Sequence, residues 1–184
     1  MKRIKHLWIA CLCILLTASQ CKKDLLGKLP PETQTGANTF GCLVNGEAWV
    51  PTGTNPYSGQ NVLAKYEYSY PSPTGYTLII TAHDYEGKPR SFFNIGMDST
   101  KLASGSVLNI TNKKGNGGGT FSKNDENSNY VTYYTNDSLS GSLQITKLDE
   151  VNQIISGTFW FDAINRFGEK VEVREGRFDI KYTR

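Results

Sequence analysis

Histidine is nearly absent: the 184-residue chain has two, and only His83 lies beyond the first twenty residues. One imidazole cannot build a multi-histidine metal centre, and neither a Gly-x-Ser-x-Gly elbow nor a familiar Cys–His arrangement accompanies it. A long apolar run is missing too. The one candidate, Leu7 to Leu16, covers ten residues, whereas a membrane-spanning helix needs about 20. Basic runs or stripes that would hold nucleic acid are absent. No window combines helical periodicity with caps, apart from a short turn near Thr100–Ser104, and there is no internal repeat of fixed period.

What the N-terminus does have is a layout for export. Lys2, Arg3 and Lys5 precede the apolar run, and the small residues Thr17-Ala18-Ser19 follow it, which is the order of a signal peptide. Cys21 is followed at once by Lys22-Lys23-Asp24 and a polar stretch. Residues 1–20 are therefore expected to be removed, with Cys21 the lipidated first residue of a mature lipoprotein anchored in the membrane. Gln20 departs from the small residue usual before such a cysteine. Ordinary cleavage after Ser19, giving a secreted soluble protein, is the alternative.

The choice changes the cysteine arithmetic. Of four cysteines, Cys11 and Cys13 leave with the signal. If Cys21 is acylated, Cys42 has no intrachain partner and reads as a small buried hydrophobe; secretory cleavage would allow a Cys21–Cys42 disulfide. Charge shifts as well. The chain holds 20 Lys and Arg against 17 Asp and Glu, and setting aside Lys2, Arg3 and Lys5 leaves 17 of each.

Residues 21–39, with Pro30-Pro31, read as a lipidated N-terminus and flexible tether; residues 40–184 read as one domain long enough for a real core. Asn45-Gly46 between β-forming runs predicts a type I′ hairpin, with Trp49 packing across from Cys42 and Val44. Alternation and turn residues predict strands at Val62–Tyr70, Tyr76–Ala82, Phe92–Met97, Tyr130–Thr135, Ser142–Leu148, Ile154–Ala163, Val171–Glu175 and Arg177–Tyr182. Asn112–Asn129 reads as surface loop around a short strand at Thr120-Phe121-Ser122. Short breaks favour antiparallel neighbours, and about ten strands must cover their apolar faces. The expected fold is an all-β, antiparallel two-sheet β-sandwich, with a lipocalin-like β-barrel as the alternative.

The opening Cys42-x-Val44-Asn45-Gly46-x-x-Trp49-x-Pro51 and the closing Ile155-Ser156-Gly157-Thr158-Phe159-x-Phe161-x-Ala163, with Glu175-Gly176-Arg177-Phe178-Asp179, resemble a family of small Bacteroidota lipoproteins carrying a domain of unknown function. The resemblance covers residues 40–184. It implies an all-β fold and an outer-membrane location on the periplasmic or cell-surface side, and carries over no catalytic residue. Lys22-Lys23-Asp24 matches only in part the acidic export signal that follows the lipidated cysteine in surface lipoproteins of that phylum. Asp98-Ser99-Thr100 and Asp137-Ser138-Leu139 fit its O-glycosylation pattern, which makes Ser99 and Ser138 candidate sites.

Candidate chemistry is sparse. His83 beside Asp84 has the makings of an acid–base pair, though it also reads simply as a polar residue at a strand end. Asp149-Glu150, Asp125-Glu126, and Asp162 with Glu172 offer the two carboxylates a glycosidase needs, and nothing in the spacing selects one pair. The run 124–129 offers oxygens for calcium but lacks the ordered alternation of a dedicated loop. Tyrosine is the enriched type, and Tyr66, Tyr68 and Tyr70 would share one strand face, as a stacking surface for a glycan or protein partner or as core filling. Trp49, Phe159, Trp160 and Phe161 read as core or inter-strand packing. The leading expectation is a non-enzymatic envelope binding module needing no cofactor. A small apolar ligand carrier in a barrel and a glycan-processing enzyme are the alternatives.

Overall fold

The computed structural model describes residues 26–70, 75–99, 101–112 and 117–184. The export signal, Cys21 and the 71–74 turn lie outside the described residues. Among the described residues the regular structure is eleven strands: β1 (Thr39–Val44), β2 (Glu47–Trp49), β3 (Val62–Tyr68), β4 (Tyr76–Asp84), β5 (Ser91–Ser99), β6 (Val107–Asn109), β7 (Gly117–Asn124), β8 (Tyr130–Tyr134), β9 (Gly141–Asp149), β10 (Ile154–Ile164) and β11 (Lys170–Lys181). The fold is all-β and antiparallel, as expected.

Hydrogen bonds join every strand into one ladder, but the link between β8 and β10 is a single pair, Ile164 with Tyr134. The ladder hinges there into two layers. Sheet I has the order β3-β4-β5-β7-β8, and sheet II the order β2-β1-β11-β10-β9-β6. At the far side Thr183, just past β11, bridges Lys65 of β3. One bridge brings the layers together without closing a barrel, so the sandwich expectation holds.

The space between the layers is filled by rings. Phe93 of β5 lies 5.6 Å from Phe40, 4.7 Å from Trp49, 4.8 Å from Phe121 and 6.1 Å from Phe161, centroid to centroid. Each such buried side chain contributes about 1.5–3 kcal/mol. Cys42 is a free, fully buried thiol paired across the hairpin with Trp49, and burial raises its pKa well above the ordinary value. Asn45 and Gly46 have φ of 50° and 85°, the positive pair a type I′ turn demands.

Three expectations change. Gly117–Asn124 is a full strand, β7, in the middle of sheet I rather than mostly loop. Gly119 admits bulk from the opposite layer: a Cβ there would lie 3.0 Å from the Phe161 ring. The two short strands expected at Val171–Glu175 and Arg177–Tyr182 are one strand, β11, carrying a bulge. Phe159 pairs with Gly176 and Phe161 with Val173, so Arg174 and Glu175 together oppose Trp160. Glu175 has φ of 53°, and a Cβ at Gly176 would lie 2.6 Å from the Phe159 ring.

The third change concerns the tether. Its described part lies as a strap on sheet II, with Leu29 buried. The anchor is Asp179 of β11, whose carboxylate accepts from the Thr33 hydroxyl (2.7 Å), the Thr35 hydroxyl (3.2 Å) and the Ser156 hydroxyl (2.8 Å), and from the backbone N–H groups of Thr35 (2.9 Å), Gly36 (2.8 Å) and Ala37 (3.2 Å). Successive backbone N–H groups curled toward one anion form a nest. Burial opposes the Asp179 charge, but the hydrogen bonds from Thr33, Thr35, Ser156 and Gly36 outweigh it and hold the carboxyl far below the usual carboxylate range.

Candidate functional site

The bulge in β11 helps to build a polar recess on the outer face of sheet II. In a regular strand residues three apart face opposite sides. The extra residue at Glu175 resets the phase, so Val171 and Val173 point inward before it and Phe178 and Ile180 after it. Arg174 and Arg177 consequently both project from the outer face of sheet II. Trp160 stands between β11 and β9, opposite Ser142, and Thr158 is flanked by Gln144 and Arg177.

These residues surround an open groove of about 440 Å³, with Glu32 of the strap and Glu175 of the bulge on its wall. Trp160 is 40 % exposed; the expectation of core packing fails because Phe159 and Phe161 both turn inward and alternation sends the residue between them out. The Arg174 guanidinium stands 5.5 Å from its ring centroid, pairs with Asp162 at 2.6 Å and donates to the carbonyl oxygens of Phe161 and Val173. The groove thus offers one indole, hydroxyl and amide groups, guanidinium donors and carboxylate acceptors.

The tyrosine row does not form one surface. Tyr66 is 4 % exposed, and its hydroxyl accepts from the Leu102 N–H at 2.7 Å; burial raises its pKa. Tyr68 packs edge-on against Tyr76 and is exposed, as is Tyr70. Ser99 faces the interior and is buried, a placement unsuited to a surface glycan, whereas Ser138 is exposed in the turn after β8.

His83 sits in an aromatic ladder on the outer face of sheet I. Its ring stacks on Tyr85 at 5.4 Å and on Phe92 at 5.2 Å, and Tyr130 meets Phe92 edge-on at 5.3 Å. Burial lowers its pKa. Asp84 does not orient it: that carboxylate accepts from the Thr52 hydroxyl and from the Gly87 N–H.

The carboxylate pairs have structural duties. Asp162 and Glu172 oppose each other across β10 and β11 and both face Arg174. Asp149 accepts from Asn152 and Val151 in a turn, while Glu150 pairs with Lys101 at 2.9 Å. Asp125 accepts from the N–H groups of Asn127 and Asn129, and no group of three or more potential metal ligands occurs among the described residues. Comparison with protein-family models, curated proteins and solved structures returns no match.

Proposed function

We propose that this protein is a non-enzymatic glycan-binding lipoprotein of the bacterial envelope, and that the groove beside Trp160 is its binding site. The observation that carries the reading is an exposed indole set among donors and acceptors on a rigid sheet face. Sugars present one apolar face of C–H groups and a rim of hydroxyls. An indole answers the first, and Arg177, Gln144, Ser142, Thr158 and the two glutamates answer the second in both polarities. Sheet-borne side chains are held in place before a ligand arrives, which lowers the ordering cost of binding.

The location rests on the export signal, Cys21 and the resemblance to Bacteroidota lipoproteins. A lipid at Cys21 would hold the domain at the outer membrane through a chain that first runs along sheet II, past the groove wall. Ser138 remains the exposed candidate for O-glycosylation.

The test is a glycan array, with pull-downs on insoluble polysaccharides, run on the protein and on Trp160→Ala. At least one glycan class should be retained by the former. The variant should lose about 2 kcal/mol, roughly thirtyfold in affinity, while keeping its unfolding midpoint. Equal retention of every glycan by both proteins would remove the assignment.

A further inference from the structure

We infer that the sugar site continues from Trp160 to the strap and takes a linear oligosaccharide of several rings, with Asp179 as its positioning residue; the inference rests on the glycan reading above. A second recess, of about 100 Å³, is lined by Thr33 and Gln34 of the strap and by Thr146 of β9. It adjoins the groove, because Glu32 and Thr158 line both. Trp160 marks one end of this track and Gly157, three residues back along β10, the other. At roughly 3.3 Å per residue the two are about 10 Å apart, more than a single pyranose ring occupies.

The polar side chains along the track are uncommitted. Ser142, Gln144, Thr146 and Thr158 make no side-chain hydrogen bond to any described residue, and neither does the Gln34 amide. Hydroxyls elsewhere on the two sheets are paired, Ser122 with Thr132 and Ser156 with Asp179. Hydroxyl and amide groups both donate and accept, so a row of them suits the hydroxyl rims of successive sugars. Trp160 takes the apolar face of one ring, and the strap end takes the hydroxyls of a ring further along.

That far end exists only while the strap is docked. Pro30 lies on Gly41, where a Cβ would come 2.6 Å from its Cδ. The Gln34 carbonyl oxygen accepts from Lys147 Nζ at 3.0 Å, and the Asn38 side-chain oxygen accepts from the Lys181 N–H at 2.9 Å. Between these outer points the Thr33 hydroxyl and the N–H groups of Thr35, Gly36 and Ala37 converge on Asp179. Asp179 is 1 % exposed and lines neither recess, so it acts on a sugar only through Glu32, Thr33 and Gln34. Releasing the strap removes the far subsite and leaves Trp160 in place.

The experiment is calorimetric titration of the protein with the two-ring and six-ring members of three neutral series, β-1,4-glucan, α-1,4-glucan and β-1,4-mannan, repeated on Asp179→Asn, Gln34→Ala and Trp160→Ala. In at least one series the longer sugar should bind about thirtyfold more tightly than the shorter. Asp179→Asn and Gln34→Ala should each bring that ratio below about tenfold by weakening the longer sugar alone, whereas a general loss of fold would weaken both lengths alike. Gln34 is exposed, so its variant keeps the test intact even if Asp179→Asn does not fold. Trp160→Ala should weaken both lengths. Equal affinity for the two lengths, still lost in Trp160→Ala, or a length ratio that the strap variants leave unchanged, would overturn the extended site and leave the glycan reading standing. No binding of any of these sugars would overturn both.

Discussion

On the outer face of sheet I, Tyr85, His83, Phe92 and Tyr130 lean on one another; on the outer face of sheet II, Trp160 stands among charged and polar groups, with the Arg174 guanidinium over its ring and no stacked aromatic neighbour among the described residues. Both faces expose aromatic rings, yet the first spends them on neighbouring rings and the second leaves one framed by hydrogen-bonding partners. The lesson is that exposure alone does not make a recognition surface. What matters is whether the ring faces are already occupied and whether polar groups of both signs lie within reach of a ligand's rim.

The sharpest way to break this comparison is to remove the device that separates the faces. Deleting Glu175 takes out the extra residue of the bulge, which would turn Phe178 and Ile180 toward solvent and Arg177 and Asp179 toward the core. Burying those charges while exposing two core residues exceeds the whole stability of an ordinary domain. The variant is expected to show no cooperative unfolding transition by circular dichroism, and a normal transition would mean that the bulge does not set the phase.

The strap distinguishes the faces next, since it crosses only sheet II. Asp179→Ala leaves three backbone N–H groups without their acceptor and should cost about 3 kcal/mol, with residues 29–38 becoming the first site of protease cleavage. The folded carboxyl titrates far below its unfolded value, so its contribution is complete above about pH 4, the unfolded range, and is lost only as pH falls through the folded value. Hydrogen-exchange protection factors in the strap, corrected for the intrinsic pH dependence of exchange, should therefore be unchanged between pH 7 and 5. Loss of protection within that window would contradict the latch.

The ladder of sheet I also loses stability on acidification, but in a higher pH window and by a smaller amount. His83 has a folded pKa lowered by burial, so the unfolded chain binds the proton more readily and stability falls as pH drops below about 6.5. The unfolding midpoint should decline modestly from pH 7.5 to 5, and His83→Phe should flatten that decline. A variant with the same pH dependence as the parent would place its origin elsewhere.

Much of this was legible in residues. The hairpin at Asn45-Gly46 followed from turn chemistry, and β4, β5, β9 and β10 from alternation. Trp160 was legible in principle: with Phe159 and Phe161 inward, period two puts it outside. The groove as a whole was not, because the bulge breaks that period and hides the fact that Arg174 and Arg177 share a face. Likewise β7 reads as loop because Gly117-Gly118-Gly119 lacks β-formers, although Gly119 is what the Phe161 ring requires opposite it. The strap reads as tether because polar, proline-bearing segments look the same whether or not a distant carboxylate such as Asp179 waits to receive their N–H groups.

The central claim is that function resides on the Trp160 face and not on the ladder face. Its most direct test is the affinity of one retained neutral oligosaccharide for the parent, Trp160→Ala and Phe92→Ala, measured by titration calorimetry on folded protein. Binding weakened roughly thirtyfold in Trp160→Ala and unchanged in Phe92→Ala is the predicted result. The reverse pattern, with Phe92→Ala losing the sugar and Trp160→Ala keeping it, would contradict the account.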